Sequence, residues 1–429
     1  MERTVGVIVE HNPFHNGHAY HVAQSKLAAG ADAVVAVMSG NWLQRGEPAL
    51  MNKWARAETA LAGGVDLVLE LPVVYSTQPA EWFAFGAVSA LDATGIVDAV
   101  CFGSESGDLD ALSTLADRLV AETDAFGDML QERLKAGAPY PAAYAAAAAA
   151  FTGRPEAALL AEPNNSLGFH YLLALRRLGS RMRPLTIRRV KAGYHDADFA
   201  DASIASATAI RNKLLEAAGT SDHRDSDAVE AALRLVAPYA PERTIEVLRR
   251  EWLAGRAPMH WERYRAPLFH RLLVPSAARL AAYREMTEGL EHRIKKTLPA
   301  LGPEASVERL LEAVKTKRYT RTKLQRLLTA VYLEHTADEV NADALRRGAP
   351  YLRVLGFTEK GRALLQRMKR SAAVPVLTDV GREPHPFLAL DAAATAAYAL
   401  GYADASPDQW LADYYKPPVR TDLAGSAAK

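Results

Sequence analysis

The sequence predicts a two-part α/β protein, with a parallel-sheet domain at residues 1–220 and an all-helical domain at residues 221–429. Short apolar, β-branched runs alternate with helical patterns through the first hundred residues, which is typical of a parallel sheet covered by helices. Helical periodicity dominates after about residue 221, with Pro and Gly at the joints between segments. A length of 429 residues is ample for two domains.

Four apolar runs in the front domain predict four parallel strands in a Rossmann-like arrangement. The runs are residues 5–9, 33–38, 66–72 and 98–102, and the helices between them cover roughly residues 18–29, 52–62 and 79–93. Ligands of such sheets bind at the carboxyl ends of the strands. We therefore expect four segments to meet at one crevice: the loop around His15, the loop at residues 39–48, the turn after Leu71 and the turn at Gly103.

The middle of the chain is predicted to be mainly helical. An alanine-rich helix is expected at residues 142–150, and residues 162–166 predict a loop and cap before a helix at residues 167–178. Residues 184–190 (PLTIRRV) predict one more strand, which leads into residues 192–196, and a further helix is expected from residue 204. The small, polar residues 423–429 are expected to fray.

Composition narrows the class of protein. With 49% hydrophobic and 24% charged residues and no N-terminal signal pattern, the sequence predicts a cytoplasmic globular protein without a membrane span. One cysteine, Cys101, excludes an internal disulfide or a cysteine-based zinc site. Residues 1–110 contain 5 basic and 13 acidic residues, whereas the remainder carries a net charge of +9. A polyanionic partner is therefore expected on the later part, although both charge sets also fit an ordinary solvated surface.

The strongest chemical pattern lies between Val5 and Tyr20 (VGVIVEHNPFHNGHAY). A strand, a tight loop and a helix aim backbone N–H groups and a helix N-terminus at an anion. The loop adds two imidazoles, His15 and His18, and Gly17 between them permits close approach of a phosphate. This pattern predicts a site for a nucleotide triphosphate; the alternative is that both histidines are ordinary surface or structural residues.

A second candidate phosphate site lies at the predicted helix start around residue 206. Ser206 and Thr208 offer hydroxyl groups there, and Arg211 follows one turn later. Hydroxyls and free N–H groups at a helix start bind phosphate oxygens, and a guanidinium neutralises their charge. The alternative is simple N-capping by Ser206 beside a surface arginine.

Two basic stretches in the back half are candidates for nucleic-acid binding. The first (KTKRYTRTK) has an aromatic residue and no acidic one, and its basic residues are Lys315, Lys317, Arg318, Arg321 and Lys323. The second contains Lys360, Arg362, Arg367, Lys369 and Arg370. Basic groups with an interleaved tyrosine suit an RNA backbone and an unstacked base, although charge runs are often merely solvated.

These motifs together resemble the tRNA(Met) cytidine acetate ligase family of the His-x-Gly-His nucleotidyltransferase superfamily. The superfamily pattern Pro-x-His-x-Gly-His matches Pro13, His15, Gly17 and His18. The family-level likeness covers nearly the whole chain and rests on residues 38–48, 66–72, 101–105, 163–168, 192–196 and 315–320. Two residues depart from it: Trp42 stands where Phe is expected, and His11 where Tyr is usual.

The resemblance implies an enzyme that uses ATP to convert acetate into acetyl-adenylate. The enzyme then acetylates N4 of the wobble cytidine of elongator tRNA(Met). His15 and His18 would be catalytic, Mg²⁺ is expected with ATP although no protein metal site is predicted, and no obligate protein partner is evident. The implied ATP-binding residues are Val7, Ile8, Val9, Glu10, His11, Asn12, Pro13, Phe14, His15, Asn16, Gly17, His18, Ala19, Tyr20, Gly103, Asn164, Asn165, Arg188, Arg189, Ser206, Thr208 and Arg211. Within the two pairs, Asn164 and Arg189 are preferred.

Three other functions compete with this one. A small-molecule adenylyltransferase needs the same front domain but no basic helical half. A class I aminoacyl-tRNA synthetase relative would normally carry a Lys-Met-Ser-Lys-Ser-like loop, which this sequence lacks. A non-catalytic RNA-binding scaffold remains the third alternative. Gln44 and Arg45 are candidates for bounding an acetate pocket.

Overall fold

The computed structural model describes residues 3–120, 124–136, 138, 140–189, 206–219, 225–381 and 385–421. Within these residues, the strands are β1 (Thr4–Val9), β2 (Ala33–Ser39), β3 (Leu67–Leu71), β4 (Ala99–Ser104), β5 (Arg183–Arg188), β6 (Leu352–Thr358), β7 (Val376–Leu377) and β8 (Val419–Thr421). They form one sheet in the order β5-β4-β1-β2-β3-β6-β7, and β8 also pairs with β6. Strands β1 to β5 are mutually parallel, which confirms the predicted Rossmann-like sheet.

Helices flank this sheet and form most of the second half of the chain. They are α1 (Asn16–Ala29), α2 (Lys53–Ala62), α3 (Val73–Ser76), α4 (Ala80–Ala93), α5 (Leu109–Leu119), α6 (Asp124–Lys135), α7 (Tyr140–Thr152), α8 (Pro163–Arg177), α9 (Ala207–Ala218), α10 (Ser226–Val236), α11 (Glu242–Leu253), α12 (Arg265–Leu273), α13 (Ala277–Leu280), α14 (Leu290–Thr297), α15 (Val307–Val314), α16 (Arg321–Tyr332), α17 (Ala342–Leu345), α18 (Glu359–Ser371), α19 (Pro386–Ala399), α20 (Pro407–Trp410) and α21 (Ala412–Tyr415). None of the helices in the described ranges has the length and apolar character needed to cross a membrane.

The back half is mainly helical, as predicted, but it is not all-helical. Strand β6 pairs antiparallel with β3, and β7 and β8 pair with the other edge of β6. Without β6, the apolar strand β3 would expose a row of unpaired backbone groups at the edge of the sheet. The expectation of helices alone failed because the partner of β3 lies some 280 residues later in the chain. The division into domains at residue 220 stays a prediction.

Two further boundaries differ from the sequence prediction. Helix α8 begins at Pro163, so Asn164 and Asn165 lie in its first turn instead of in a preceding loop. Proline at the first helical position is favourable because its missing N–H would have no partner there. The helix expected from residue 204 is described from Ala207, with Ser206 as its N-cap. Residues 192–196 and 423–429, for which a motif and a frayed end were predicted, lie outside the described residues.

The loop after β2 is locked onto the helical half by Trp42. The indole Nε1 donates to the Ala394 carbonyl oxygen at 3.0 Å. The fully buried ring lies 5.3 Å from Tyr264 and 6.2 Å from Tyr398, measured between ring centroids. A phenylalanine at this position could not donate that hydrogen bond, so the tryptophan adds an attachment between the two halves.

A buried ionic cluster makes a second connection between the halves. The ammonium group of Lys53, at the start of α2, lies 2.8 Å from Glu70 Oε1 and 2.8 Å from Asp413 Oδ1. Arg353 of β6 donates to the Asp413 carbonyl oxygen at 3.0 Å. Burial alone would lower the pKa of Lys53, but Asp413 and Glu70 outweigh burial and raise it. Lys53 therefore stays charged inside the protein.

Replacing Lys53 by Met is expected to destabilise the fold because Glu70 and Asp413 would remain as poorly compensated buried charges. We expect the free energy of unfolding to fall by about 3–5 kcal/mol, measured by urea unfolding. The matched control Lys315→Met removes an exposed lysine 3.4 Å from Glu312 and should cost less than about 1 kcal/mol. Small and equal losses in the two variants would contradict the structural role of the buried cluster.

Candidate active site

The loop after β1 ends in a reciprocal cap built from two histidines. His15 is the N-cap of α1, and its Nδ1 accepts a hydrogen bond from the Gly17 backbone N–H at 3.0 Å. The His15 backbone N–H in turn donates to Nδ1 of His18 at 3.3 Å. This is the geometry of a capping box, with imidazoles in place of the usual hydroxyl and carboxylate. The His-x-Gly-His spacing therefore fixes both rings by the start of the helix itself.

This cap determines which nitrogen of each ring carries the proton. A nitrogen that accepts an N–H bond is unprotonated, so the neutral rings of His15 and His18 carry their hydrogen on Nε2. The two rings stack, with centroids 3.8 Å apart and planes inclined by 29°. Two Nε2–H donors therefore lie side by side at the carboxyl end of β1.

Both imidazoles are neutral near pH 7. Burial is the main cause that lowers the pKa of His15 to about 4, and Arg189 and Arg211 lower it further. Burial likewise holds the pKa of His18 well below its ordinary value, with His15 and His11 adding to the effect. These histidines can thus donate hydrogen bonds to an anion while the positive charge comes from the arginines.

The second predicted motif reaches the same loop. Arg211 Nη1 donates to the Asn12 carbonyl oxygen at 2.9 Å, and Nη2 donates to Thr208 Oγ1 at 3.2 Å. Ser206 caps α9 by accepting from the Ala209 N–H at 3.2 Å, as the alternative interpretation held. Arg211, however, is not an isolated surface arginine, because it joins α9 to the loop that carries His15.

A third part of the crevice is formed by Gly103, Asn164 and Arg189. Arg189 Nη1 donates to Asn164 Oδ1 at 3.3 Å. A Cβ at Gly103 would lie 3.1 Å from Cγ of Arg189, so the glycine lets this side chain lie close over β4. Arg189 also lowers the pKa values of His15 and His18 by its charge, after the larger effect of burial. Arg189 is therefore close enough to affect both histidines, and Asn164 is linked to them through Arg189.

The other members of the two pairs face elsewhere. Asn165 is buried, and its Oδ1 accepts from the Ser106 backbone N–H at 3.1 Å. The exposed Arg188 packs over Gly107, where a Cβ would lie 2.9 Å from Cβ of Arg188. Asn165 therefore supports the turn after β4 and does not present its amide oxygen to the crevice.

Glu105 organises the start of α8 and was not singled out from the sequence. Its carboxylate accepts from the Asn164 and Asn165 backbone N–H groups at 3.1 and 2.7 Å and from Asn164 Nδ2 at 2.6 Å. Burial would raise the pKa of Glu105, but these hydrogen bonds outweigh burial and lower it. The carboxylate orients Asn164, and a negative charge at a helix N-terminus is favourable.

Not every side chain in the segment from Val7 to Tyr20 faces the crevice. Val7, Val9 and Phe14 are buried in the core, whereas Tyr20 is 41% exposed. Asn12 accepts from the Leu50 backbone N–H at 2.7 Å through Oδ1. The contacts of Val7, Val9, Phe14 and Asn12 therefore lie within the protein and shape the strand and the loop.

His11 lies in the same cluster as His18. Its backbone has a positive φ of 48°, and its ring centroid lies 4.7 Å from Phe14 and 4.8 Å from His18. Neither ring nitrogen has a hydrogen-bond partner among the described residues, although both are buried. Burial first, and then Arg56, holds the pKa of His11 well below its ordinary value.

Arg56 is the structural residue that sequence reasoning missed entirely. Its buried guanidinium donates to the carbonyl oxygens of Glu10 at 2.6 Å, Ser39 at 3.0 Å and Met51 at 3.1 Å, and also to that of Gly40. Burial lowers its pKa to about 10, so the group remains charged near neutral pH. A lone arginine in the predicted helix gave no signal, because its four acceptors come from three other segments.

The first basic stretch is largely paired with acidic residues from other segments. Arg321 contacts both carboxylate oxygens of Glu308 at 2.5 Å, Arg318 contacts Glu288, and Lys315 lies 3.4 Å from Glu312. Lys323 Nζ donates to Thr287 Oγ1 at 3.0 Å.

Lys317 is exposed and makes no ion pair with any residue in the described ranges. Because most of its basic side chains are paired with carboxylates, the stretch carries less uncompensated positive charge than its sequence indicates.

The second basic stretch lies away from the crevice. It forms α18, whose Lys360 donates to the Asp32 carbonyl oxygen at 3.4 Å and whose Ser371 donates to that of Thr94 at 2.9 Å. Asp32 directly precedes β2, and Thr94 lies between α4 and β4. Helix α18 therefore lies at the amino-terminal ends of the strands, whereas the histidines lie at the carboxyl end of β1.

The described residues contain no group of three or more histidine, cysteine or acidic side chains placed to hold a metal ion. The residues present thus do not provide a ready protein ligand set for Mg²⁺. An ion that accompanies a triphosphate takes much of its coordination from phosphate and water oxygens.

Three comparisons relate the chain to known proteins. Residues 2–411 match the sequence model of the family described as HIGH Nucleotidyl Transferase. A tRNA(Met) cytidine acetate ligase of Lysinibacillus sphaericus is 40% identical over 421 residues, covering 97% of this chain and 100% of the relative. The protein of the same name from Bacillus subtilis is 38% identical over 423 residues, 98% of each chain. The crystal structure of Thermotoga maritima TmcAL bound with alpha-thio ATP has a TM-score of 0.85 at 35% identity and covers 98% of this chain and 100% of that chain.

The histidine cap predicts a specific protonation state that NMR can measure. At pH 6, long-range ¹H–¹⁵N spectra of ¹⁵N-histidine protein should show His15 and His18 neutral with the hydrogen on Nε2. On acidification, His15 should titrate near pH 4. Because unfolded histidine binds its proton near pH 6.5, the stability that neutral His15 contributes is complete above that pH and is lost as pH falls toward 4. An imidazolium signal for either residue at pH 6 would contradict this assignment.

Proposed function

This chain belongs to the tRNA(Met) cytidine acetate ligase family of HIGH nucleotidyl transferases, and on that premise we propose that it activates acetate with ATP and acetylates a tRNA cytidine. The acceptor we propose is N4 of the wobble cytidine in elongator tRNA(Met), and the cytoplasm is the expected location. The observation that carries the proposal is the pair of fixed Nε2–H donors, flanked by Arg189 and Arg211, at the carboxyl end of β1.

In the proposed first step, an acetate oxygen attacks the α-phosphorus of ATP. A new P–O bond forms, the bond to the β-phosphate oxygen breaks, and pyrophosphate leaves, so that acetyl-adenylate remains. His15 and His18 donate hydrogen bonds to phosphate oxygens whose negative charge grows during this displacement. Because the helix cap already holds both rings in place, little reorganisation is needed at the moment of reaction.

The remaining crevice residues are proposed to hold the nucleotide. Arg189 and Arg211 neutralise phosphate charge, and Asn164 offers its amide to the ribose or the base. Gly103 permits close approach beside β4. Ser206 already accepts the Ala209 N–H, so its hydroxyl hydrogen is available to donate to a phosphate oxygen, as Thr208 can also do. A bound Mg²⁺ would supply further neutralisation of the triphosphate charge.

In the proposed second step, N4 of the cytidine attacks the acyl carbon of acetyl-adenylate. The C–N bond forms, the acyl C–O bond breaks, and AMP leaves with the electron pair. The tRNA backbone is proposed to lie along Lys315, Lys317, Arg318, Arg321 and Lys323, with Tyr319 available to stack on a base. Where Arg318 and Arg321 bind phosphate, they must exchange Glu288 and Glu308 for it.

One assay tests the whole reaction. The chain is incubated with ATP, radiolabelled acetate and bulk tRNA, and the nucleosides are separated after digestion. We expect acid-stable label in N4-acetylcytidine, with release of AMP and pyrophosphate. Pyrophosphate release without labelled nucleoside would favour a small-molecule adenylyltransferase, and absence of both would favour a non-catalytic RNA-binding protein.

The double variant His15→Ala/His18→Ala is expected to lose acetyl-adenylate formation, because both donors to the reacting phosphates are removed. Loss of one such donor typically lowers kcat by about 10²–10³-fold, and acetate-dependent ATP–pyrophosphate exchange measures the effect. His292→Ala removes an exposed histidine from α14 and serves as the matched control. Exchange at the normal rate in the double variant would exclude the proposed role of the pair.

Lys317→Ala is expected to weaken tRNA binding while leaving pyrophosphate exchange intact, because Lys317 is exposed and unpaired among the described residues. If Lys317 contacts one phosphate, the slope of log K against log salt should fall by about 1. Lys369→Ala is the control. It removes an exposed lysine from α18, at the amino-terminal ends of the strands, and should leave the slope unchanged. Equal slopes for both variants would place the tRNA elsewhere.

A further inference from the structure

We propose that Glu10 is the catalytic base of the acetyl-transfer step, taking the proton that N4 of cytidine loses as it attacks acetyl-adenylate. This assignment rests on the proposed function. The carboxylate of Glu10 lies beside the histidine loop. A negative charge at that place does not help to bind a triphosphate, so a different role is assigned to it.

The carboxylate of Glu10 is held in place by the neighbouring loop. Glu10 directly follows β1, and its Oε1 accepts from the Gln44 backbone N–H at 2.8 Å. Its own carbonyl oxygen accepts from Arg56 Nη1 at 2.6 Å, which fixes the backbone from which the side chain extends. No residue in the described ranges donates to Oε2, and the side chain is only partly buried. One carboxylate oxygen is therefore anchored, and the other is available to a substrate proton.

The charged surroundings of Glu10 come from several elements. Arg45 lies in the same loop as Gln44, Arg56 in α2 and Arg211 in α9, and all three lower the pKa of Glu10. Burial raises the pKa of Tyr171 in α8, and the charge of Glu10 adds to that effect.

Burial is the largest influence on Glu10 and raises its pKa above the ordinary value despite the three arginines. Burial lowers the pKa of Arg211, and the charges of Glu47 and Glu10 oppose that effect. A carboxylate with a raised pKa accepts a proton more readily, provided that the pH is high enough to ionise it.

The loop that anchors Glu10 also contacts the helix that follows the first basic stretch. Glu47 Oε1 accepts from Gln325 Nε2 at 2.7 Å. Gly46, at φ 71°, lies so close to α16 that a Cβ would fall 2.2 Å from the Arg326 backbone nitrogen. The N-terminus of α16, at Arg321, is about 6 Å along the helix from Gln325. A tRNA held at the basic stretch is therefore next to the loop that positions Glu10.

The chemistry of the second step calls for a base and not for an acid. The N4 lone pair forms the new C–N bond to the acyl carbon, and the acyl C–O bond breaks as AMP leaves with its electron pair. AMP is a stable anion and needs no proton to depart. The exocyclic amine must lose a proton, and this passes to Oε2 of Glu10 and afterwards to water.

Glu10→Gln in the full chain separates this role from nucleotide binding. The amide is isosteric, and its oxygen can still accept the Gln44 N–H. We expect single-turnover transfer from acetyl-adenylate to tRNA to fall by about 10²–10⁴-fold, a far larger loss than that of acetate-dependent pyrophosphate exchange. The rise of the wild-type transfer rate with pH should disappear in the variant. Glu230→Gln, which removes a carboxylate paired with Arg249 on the α10–α11 surface, is the matched control.

Several results would overturn the assignment. Transfer at the wild-type rate in Glu10→Gln would exclude a base at this position. Equal loss of exchange and transfer, or exchange that recovers only with added Mg²⁺, would show that Glu10 serves nucleotide or metal binding. If Glu10→Gln does not fold, Glu10→Asp replaces it. Retained exchange with slowed transfer that still depends on pH would support Glu10 as the base. Unchanged transfer, or lost exchange, would contradict that role. A wild-type chain without acetate-dependent exchange would instead remove the proposed function itself.

Discussion

The crevice depends first on the guanidinium of Arg56. Carbonyl oxygens converge where β1 and β2 end, and their partial negative charges would repel one another and any anionic ligand. Arg56 reaches this point from α2 and donates to the carbonyls of Glu10, Ser39, Gly40 and Met51. A buried charge is tolerated because nearly all of its hydrogen-bonding capacity is used. The histidine loop, Glu10 and the start of α2 are thereby held in one arrangement.

In this site, hydrogen bonding and charge neutralisation come from different residues, whereas a cluster of lysines would supply both. His15 and His18 supply directed hydrogen bonds without charge, because burial and neighbouring arginines keep both rings neutral. Arg189 and Arg211 supply positive charge from two different elements, β5's end and α9. Directed donors suit a transition state in which charge shifts among phosphate oxygens, since they stabilise charge at fixed points. The geometry is encoded locally, in a helix cap whose side chains are also the donors.

Sequence reasoning was successful where the determining interactions are local. The run before Glu10 and the His-x-Gly-His spacing predicted β1, α1 and two imidazoles in the loop between them, because a strand, a turn and a cap are decided by near neighbours. The edge pairing of β3 with β6, by contrast, joins segments nearly three hundred residues apart. The ion pair between Arg321 and Glu308 could not be predicted from the sequence for a similar reason, because the acidic partner belongs to another helix.

The most direct test of the account is a crystal structure of this chain with a non-hydrolysable ATP analogue. We predict that Nε2 of His15 and of His18 each lie about 2.7–3.2 Å from a phosphate oxygen. The Nδ1 bonds to the Gly17 and His15 backbone N–H groups should be retained. Phosphates held by arginines alone, or imidazoles turned so that Nδ1 faces the phosphate and the cap is broken, would contradict it.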